Sequence, residues 1–148
     1  MAMLPRIDDL LWVASTVAME AGGEPPLGKL AVAWVIVNRM HTRNQSPSDT
    51  VLAPMQFSAW NSDAGTRARL DSIGEAEWHE SYKAAAAAYF GLAPDPTKGA
   101  TFYLNVEMTR RGRRNGDLPT WAADPSDPAK PNAAKVTVVI GLHTFMKG

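Results

Sequence analysis

The segment Glu20-Ala21-Gly22-Gly23-Glu24 sets two carboxylates around a glycine pair, just before Pro25-Pro26. A carboxyl group protonates a leaving oxygen well when apolar surroundings disfavour its charged form. Glu20 follows Val17, Ala18 and Met19 and so has apolar neighbours on its own segment. A helix C-terminus is also a poor place for negative charge. The plainer reading is that both glutamates are solvated at a helix end, and spacing alone favours that reading.

A second cluster is Gln56-Phe57-Ser58-Ala59-Trp60-Asn61, which joins amides, a hydroxyl and two aromatic rings. Sugars have apolar faces and polar edges, so a carbohydrate site pairs aromatic platforms with amide and hydroxyl hydrogen bonds. Anchoring of the loop by Phe57 and Trp60 is an equally good account. Further on stand Tyr103 in Gly99-Ala100-Thr101-Phe102-Tyr103, Trp121 in Pro119-Thr120-Trp121, and His143 in Ile140-Gly141-Leu142-His143-Thr144-Phe145. A strand tyrosine beside a cleft can orient a carboxyl group or a substrate, although packing on a helix is its commoner use. His41, His79 and His143 show no metal-ligand spacing, and no phosphate-binding glycine loop or Gly-x-Ser-x-Gly elbow occurs. No metal or other cofactor is expected. Arg110-Arg111-Gly112-Arg113-Arg114 could meet an anionic polymer or surface, or be a solvated loop partly offset by Asp117, Asp124 and Asp127.

These residues need elements to hold them. The 148 residues suit one domain, 1–148, and a 45% hydrophobic share suffices for a core. Fifteen basic residues balance fifteen acidic ones, so nucleic-acid binding through the overall field is not expected. The absence of cysteine excludes disulfides, thiolate chemistry and iron–sulfur sites. Leu10, Val13, Ala14, Val17 and Ala18 recur at helical spacing after Asp8 and Asp9, which predicts a helix that Gly22-Gly23 stops. A second helix, from about 27 to 41, is apolar on nearly every side and should be buried. A third runs from about 75 to 90, with Trp78, Tyr82, Ala85, Ala86 and Tyr89 on its expected inner face. Residues 42–76 read mostly as loop, with Ser46-Pro47-Ser48-Asp49 capping a short turn. Residues 101–104 and 136–140 have strand composition, and the stretch between them reads as a long surface excursion. The apolar stretch 10–19 is too short to span a bilayer and follows two aspartates, so neither membrane insertion nor an export signal is expected.

In order along the chain, these segments resemble the SleB-type cell wall hydrolase family, which includes spore cortex-lytic enzymes and phage-encoded relatives. The resemblance is carried by residues 20–24, Gly28, the Ala-Val-Ala-Trp-Val-Ile-Val-Asn-Arg run ending at Arg39, Gln56-Phe57-Ser58-Ala59-Trp60, Gly99-Ala100-Thr101-Phe102-Tyr103, Trp121 and the closing 140–145 motif. Phe102 stands where a His is common, Met146 where a Tyr is common, and Ala18-Met19 replace Tyr-Gly. The resemblance implies an α+β, lysozyme-like fold related to lytic transglycosylases, mainly helical with a small β-sheet. It implies a peptidoglycan partner, cut at the β-1,4 bond between N-acetylmuramic acid and N-acetylglucosamine, with Glu20 as catalytic acid. Gln56, Ser58, Tyr103 and His143 are then expected to orient Glu20 or the sugar, and Trp60 and Trp121 to serve as saccharide platforms. Glu24 is expected to brace the turn or cap the next helix, and Asn38 and Arg39 to tie the buried helix to nearby loops. A water-using mechanism would need a second carboxylate, for which Glu24, Asp63 and Asp71 are the candidates. The rival readings are a non-catalytic wall-binding virion protein, a metal-dependent amidase and a nucleic-acid binder. The expected setting is a phage lysin waiting in the host cytoplasm, or a virion-carried enzyme.

Overall fold

The computed structural model describes residues 7–53, 56–61 and 65–148. They fall into two compact units that meet in sequence at Pro96 and Thr97.

The first unit is helical. It contains α1 (Ile7–Ala21), α2 (Pro26–Arg43), α3 (Pro47–Leu52), a 3-10 turn (Ser58–Trp60), α4 (Thr66–Asp71) and α5 (Glu75–Tyr89). α1, α2 and α5 pack on one another. Val13, Val17, Val32, Val35 and Ile36 are wholly buried at their centre, each contributing roughly 1.5–3 kcal/mol over leaving it exposed. α2 is buried on most sides, as its composition requires, including Lys29 and Arg39. It begins at Pro26, whose missing N–H costs nothing in a first turn, and ends on Asn44 in the left-handed conformation. The Ser46 side chain accepts a hydrogen bond from the Asp49 N–H and caps α3 as expected.

One expectation needs correction. The inner face of α5 is Ser81, Ala84, Ala85 and Ala88, whereas Tyr82 is exposed and Trp78, Ala86 and Tyr89 are half-buried. Small residues let the helix backbones approach closely, and the aromatic rings flank the seam. α1 ends at Ala21, immediately before Gly22 and Gly23 as expected, although neither glycine has a positive φ. At Gly22 a Cβ would lie 2.7 Å from the Ala18 carbonyl oxygen, so the close backbone approach itself requires glycine.

The second unit contains β1 (Phe102–Leu104), α6 (Val106–Arg111), β2 (Ala123–Asp124), β3 (Asp127–Pro131), β4 (Val136–Ile140) and β5 (His143–Met146). The expected strands β1 and β4 are present but do not pair with each other. β5 lies between them in an antiparallel sheet of order β1-β5-β4, with Tyr103 opposite Phe145 and Ile140 opposite His143. The long excursion is not bare loop, since it holds α6 and the β2–β3 hairpin. Asn105 caps α6 by accepting from the Met108 N–H. Leu104, Leu118, Ala122 and Met146 form the core of this unit, with Phe102, Val106, Ala123 and Val136 packed on it.

Candidate active site

Residues four apart on a helix lie one above another. α1 thus presents Trp12, Thr16 and Glu20 as a single stripe, and all three meet the 3-10 turn and its Trp60. The Trp12 and Trp60 rings are 5.1 Å apart, centroid to centroid. Thr16, which is wholly buried, accepts a hydrogen bond from Trp60 Nε1 at 2.8 Å and donates its own proton to the Trp12 carbonyl oxygen. Glu20 Oε1 accepts from the Ala59 N–H at 3.2 Å. That N–H lies in the first turn of a 3-10 helix and has no carbonyl partner within it, so the carboxyl group satisfies a donor that would otherwise be orphaned. Among the described residues Glu20 Oε2 has no hydrogen-bond partner. Glu20 is half-buried, neither sealed in the core nor extended into solvent.

The loop is fixed from other sides too. Phe57 is buried with the Arg39 guanidinium 4.7 Å from its ring centroid, and Thr66 donates to the Ala59 carbonyl. Arg69 Nη2 on α4 donates to the Met19 carbonyl at 3.3 Å. Asn38 Nδ2 donates to Asp95 Oδ2 at 2.9 Å, so Asn38 and Arg39 tie α2 to surrounding loops as expected.

Three of the expected site residues lie in this loop. The group that holds Glu20 is a backbone amide, not the side chain of Gln56 or Ser58. Gln56 Oε1 is engaged by Arg43 Nη1 at 3.1 Å, and Ser58 is exposed at the start of the 3-10 turn. Trp60 spends its N–H and part of its ring on α1 and so anchors the loop, while its half-buried ring keeps some open surface.

Glu24 braces the turn. A Cβ on Gly28 would lie 3.0 Å from Glu24 Cβ and 3.1 Å from Oε2, so the Glu24 side chain occupies the space that this glycine leaves at the start of α2. A carboxylate there is favoured by the helix dipole. The Glu24 carbonyl accepts from Lys29 Nζ at 2.8 Å, and Lys29 is ion-paired to Glu77 Oε2 at 3.2 Å. The other Glu77 oxygen accepts from Ser81 Oγ. A buried lysine therefore pins the 20–24 turn to α5. Sequence reasoning missed Trp12, Thr16, Lys29 and Glu77, and only the four-residue spacing of Trp12, Thr16 and Glu20 offered a signal. Asp71 is exposed at the end of α4, and Asp63 lies outside the described residues.

In the second unit Tyr103 and His143 come together, with ring centroids 5.1 Å apart and edge to face. Phe145, two residues beyond His143 and opposite Tyr103, completes the cluster on one face of the sheet. Trp121 does not join them. It is 43% exposed, and its ring lies 5.2 Å from that of Phe102, which backs it as a platform would require.

Residues 23–146 match the family model described as Cell Wall Hydrolase, and the chain belongs to that family of cell wall enzymes. The matched stretch opens after Trp12, Thr16 and Glu20 and includes Glu24, Gln56, Ser58, Trp60, Tyr103, Trp121 and His143. A spore cortex-lytic enzyme of Halalkalibacterium halodurans is 29% identical over 115 residues, which cover 71% of this chain and 29% of that protein's length. The fold is that of the catalytic domain of SleB, a germination-specific lytic transglycosylase from Bacillus anthracis, with a TM-score of 0.66 at 24% identity, covering 99% of this chain and 100% of that one. The catalytic domain of the Bacillus cereus SleB protein gives a TM-score of 0.67 at 24% identity, covering 99% of this chain and 95% of that one. These neighbours bear out the mainly helical, lysozyme-like α+β class.

Proposed function

We propose that the chain cleaves the β-1,4 bond between N-acetylmuramic acid and N-acetylglucosamine in peptidoglycan as a lytic transglycosylase, with Glu20 as its single catalytic carboxyl group. The observation that carries this reading is the lopsided anchoring of Glu20. Its Oε1 is held by the Ala59 N–H and its Oε2 is left without a protein partner among the described residues. A protonated carboxyl group held this way accepts through its carbonyl oxygen and carries its proton on the other oxygen. Oε2 donates that proton to the glycosidic oxygen as the bond to the anomeric carbon breaks through an oxocarbenium-like state. The carboxylate then takes the proton from the muramic acid 6-hydroxyl as that oxygen bonds to the anomeric carbon. The product is a 1,6-anhydro sugar, no water is consumed, and Glu20 ends protonated as it began. One group acting as acid and then base needs no second carboxylate, whereas an ordinary glycosidase does. Of the alternatives, the Glu24 side chain packs beside Gly28 at the start of α2, Asp71 is exposed, and Asp63 lies outside the described residues. The naming of the solved neighbour as a lytic transglycosylase supports the same chemistry.

The test is Glu20→Gln on purified sacculi. The amide oxygen still accepts from Ala59, so the variant should fold, and product release should fall by about 10²–10⁴-fold. A folded variant that works at the parental rate refutes the assignment. Released muropeptides lighter by one water than hydrolysis products support transglycosylation, and full-mass products refute it.

A further inference from the structure

The overall neutrality conceals a division. Residues 97–148 carry eight Lys and Arg against four Asp and Glu, and the first 96 residues carry seven against eleven. In the second unit the cations are concentrated where α6 runs into residues 110–114. Arg110 and Arg111 line a depression of about 540 Å³ with Val106, Glu107, Gly141 and Leu142. Arg113 and Arg114, with Gly112 and Asn115, line a second one of about 580 Å³. All four arginines are exposed. Arg110 is steadied by donating from Nε to the Gly116 carbonyl at 2.8 Å, and Arg111 pairs with Glu107 on the preceding turn. Arg113 and Arg114 have no ion pair among the described residues.

We infer that this row of arginines binds a linear phosphodiester polymer attached to the wall, of the polyol-phosphate kind. Guanidinium forks match phosphate oxygens, and four cations in five residues can follow successive phosphates. The placement of four cations within five consecutive residues favours a strand, whose phosphates also recur along a line, and vesicle binding is an outcome of the test below. The lining disfavours single-stranded nucleic acid, which binds on stacked aromatic rings, since neither depression is lined by one. A polyol-phosphate chain has no bases and needs no such platform. The inference relies on the wall as the place of action and not on the chemistry at Glu20.

The experiment uses the full chain carrying Glu20→Gln, so that the glycan is not digested. Retention is measured on sacculi bearing polyol-phosphate polymer and on the same sacculi stripped with hydrofluoric acid, against salt. With about four arginines engaged, the slope of log affinity on log salt should be roughly −3, or about a 50-fold loss from 50 to 200 mM salt. Adding Arg113→Gln and Arg114→Gln should halve that slope, leaving about a sevenfold loss. Stripped sacculi should retain both proteins equally. Equal retention on decorated and stripped walls overturns the inference, as does a slope that the arginine changes do not alter. Tighter binding to single-stranded DNA or to phosphatidylglycerol vesicles than to purified poly(glycerol phosphate) also overturns it. Failure of the Glu20 assignment would show separately, as soluble muropeptides released by Glu20→Gln, and binding to purified poly(glycerol phosphate), which holds no glycan to cut, would still test the arginines.

Discussion

Thr16→Val tests whether the α1 stripe holds the loop that holds Glu20. The change conserves shape and removes the hydroxyl that receives Trp60 Nε1–H at 2.8 Å. Thr16 also donates to the Trp12 carbonyl, but that oxygen already accepts from the helix, so losing this bond costs little. The indole N–H is the expensive loss, because a donor left unsatisfied in a buried setting costs about 1–3 kcal/mol. The added methyl group in a wholly buried site recovers part of it. A net loss of about 1–2 kcal/mol follows, or roughly 3–6 °C in Tm for a chain of this size. In a Trp60→Phe background there is no N–H to strand, so the same change should cost nothing. The coupling between the two sites should therefore be about 1–2 kcal/mol. Urea unfolding of the parent, both single variants and the double variant measures it. Glycan release should fall about tenfold in Thr16→Val at temperatures where it is folded, because a small displacement of a reacting group is costly. If Thr16→Val costs the same in the Trp60→Phe background as beside the native indole, the bond does not hold the loop and the reasoning fails.

Gly22 and Gly23 should respond with opposite signs. Gly22→Ala drives a Cβ to 2.7 Å from the Ala18 carbonyl oxygen and should cost about 1–3 kcal/mol by chemical denaturation, whereas at Gly23 nothing lies within 4 Å and alanine should be neutral or stabilising by up to about 1 kcal/mol. Glu77→Gln leaves the buried Lys29 ammonium without its counter-charge and should destabilise by about 3 kcal/mol, while Lys29→Met with Glu77→Leu should recover most of that in the same assay. Burial, and then its hydrogen bond to the Asp9 carboxylate and the charge there, raise the Tyr89 phenol above its usual value near 10. The unfolded chain therefore releases that proton first, so this contribution is complete below pH 10 and is lost as pH rises through the folded-state value. Tyr89→Phe should flatten the stability profile above pH 10, and an unchanged alkaline slope would refute the linkage.

The long helices are legible in the sequence because burial of α1 and α2 follows apolar periodicity. The inner face of α5 is not, because aromatic rings suggest an interior position, whereas close backbone approach selects Ser81, Ala84, Ala85 and Ala88. β5 is hard to see because its four residues, His-Thr-Phe-Met, are too short for alternation to stand out. The β2–β3 hairpin is masked by Pro128 and Pro131, which a short two-stranded ladder tolerates. Glu20 and Glu24 are readable as a pair, and Glu24 does brace the turn. The partner of Glu20 is not readable, since it is a backbone N–H 39 residues away and any non-proline residue at that position would offer the same donor.

The arrangement of the sheet bears on how the chain comes off the ribosome. β1 and β4 are made first, yet neither has its neighbour until β5 emerges. Until β5 is in place two open edges are exposed together, each a template for pairing with another chain. A chain stopped at Ile140 should therefore collect in inclusion bodies, whereas the 1–148 chain closes both edges on β5.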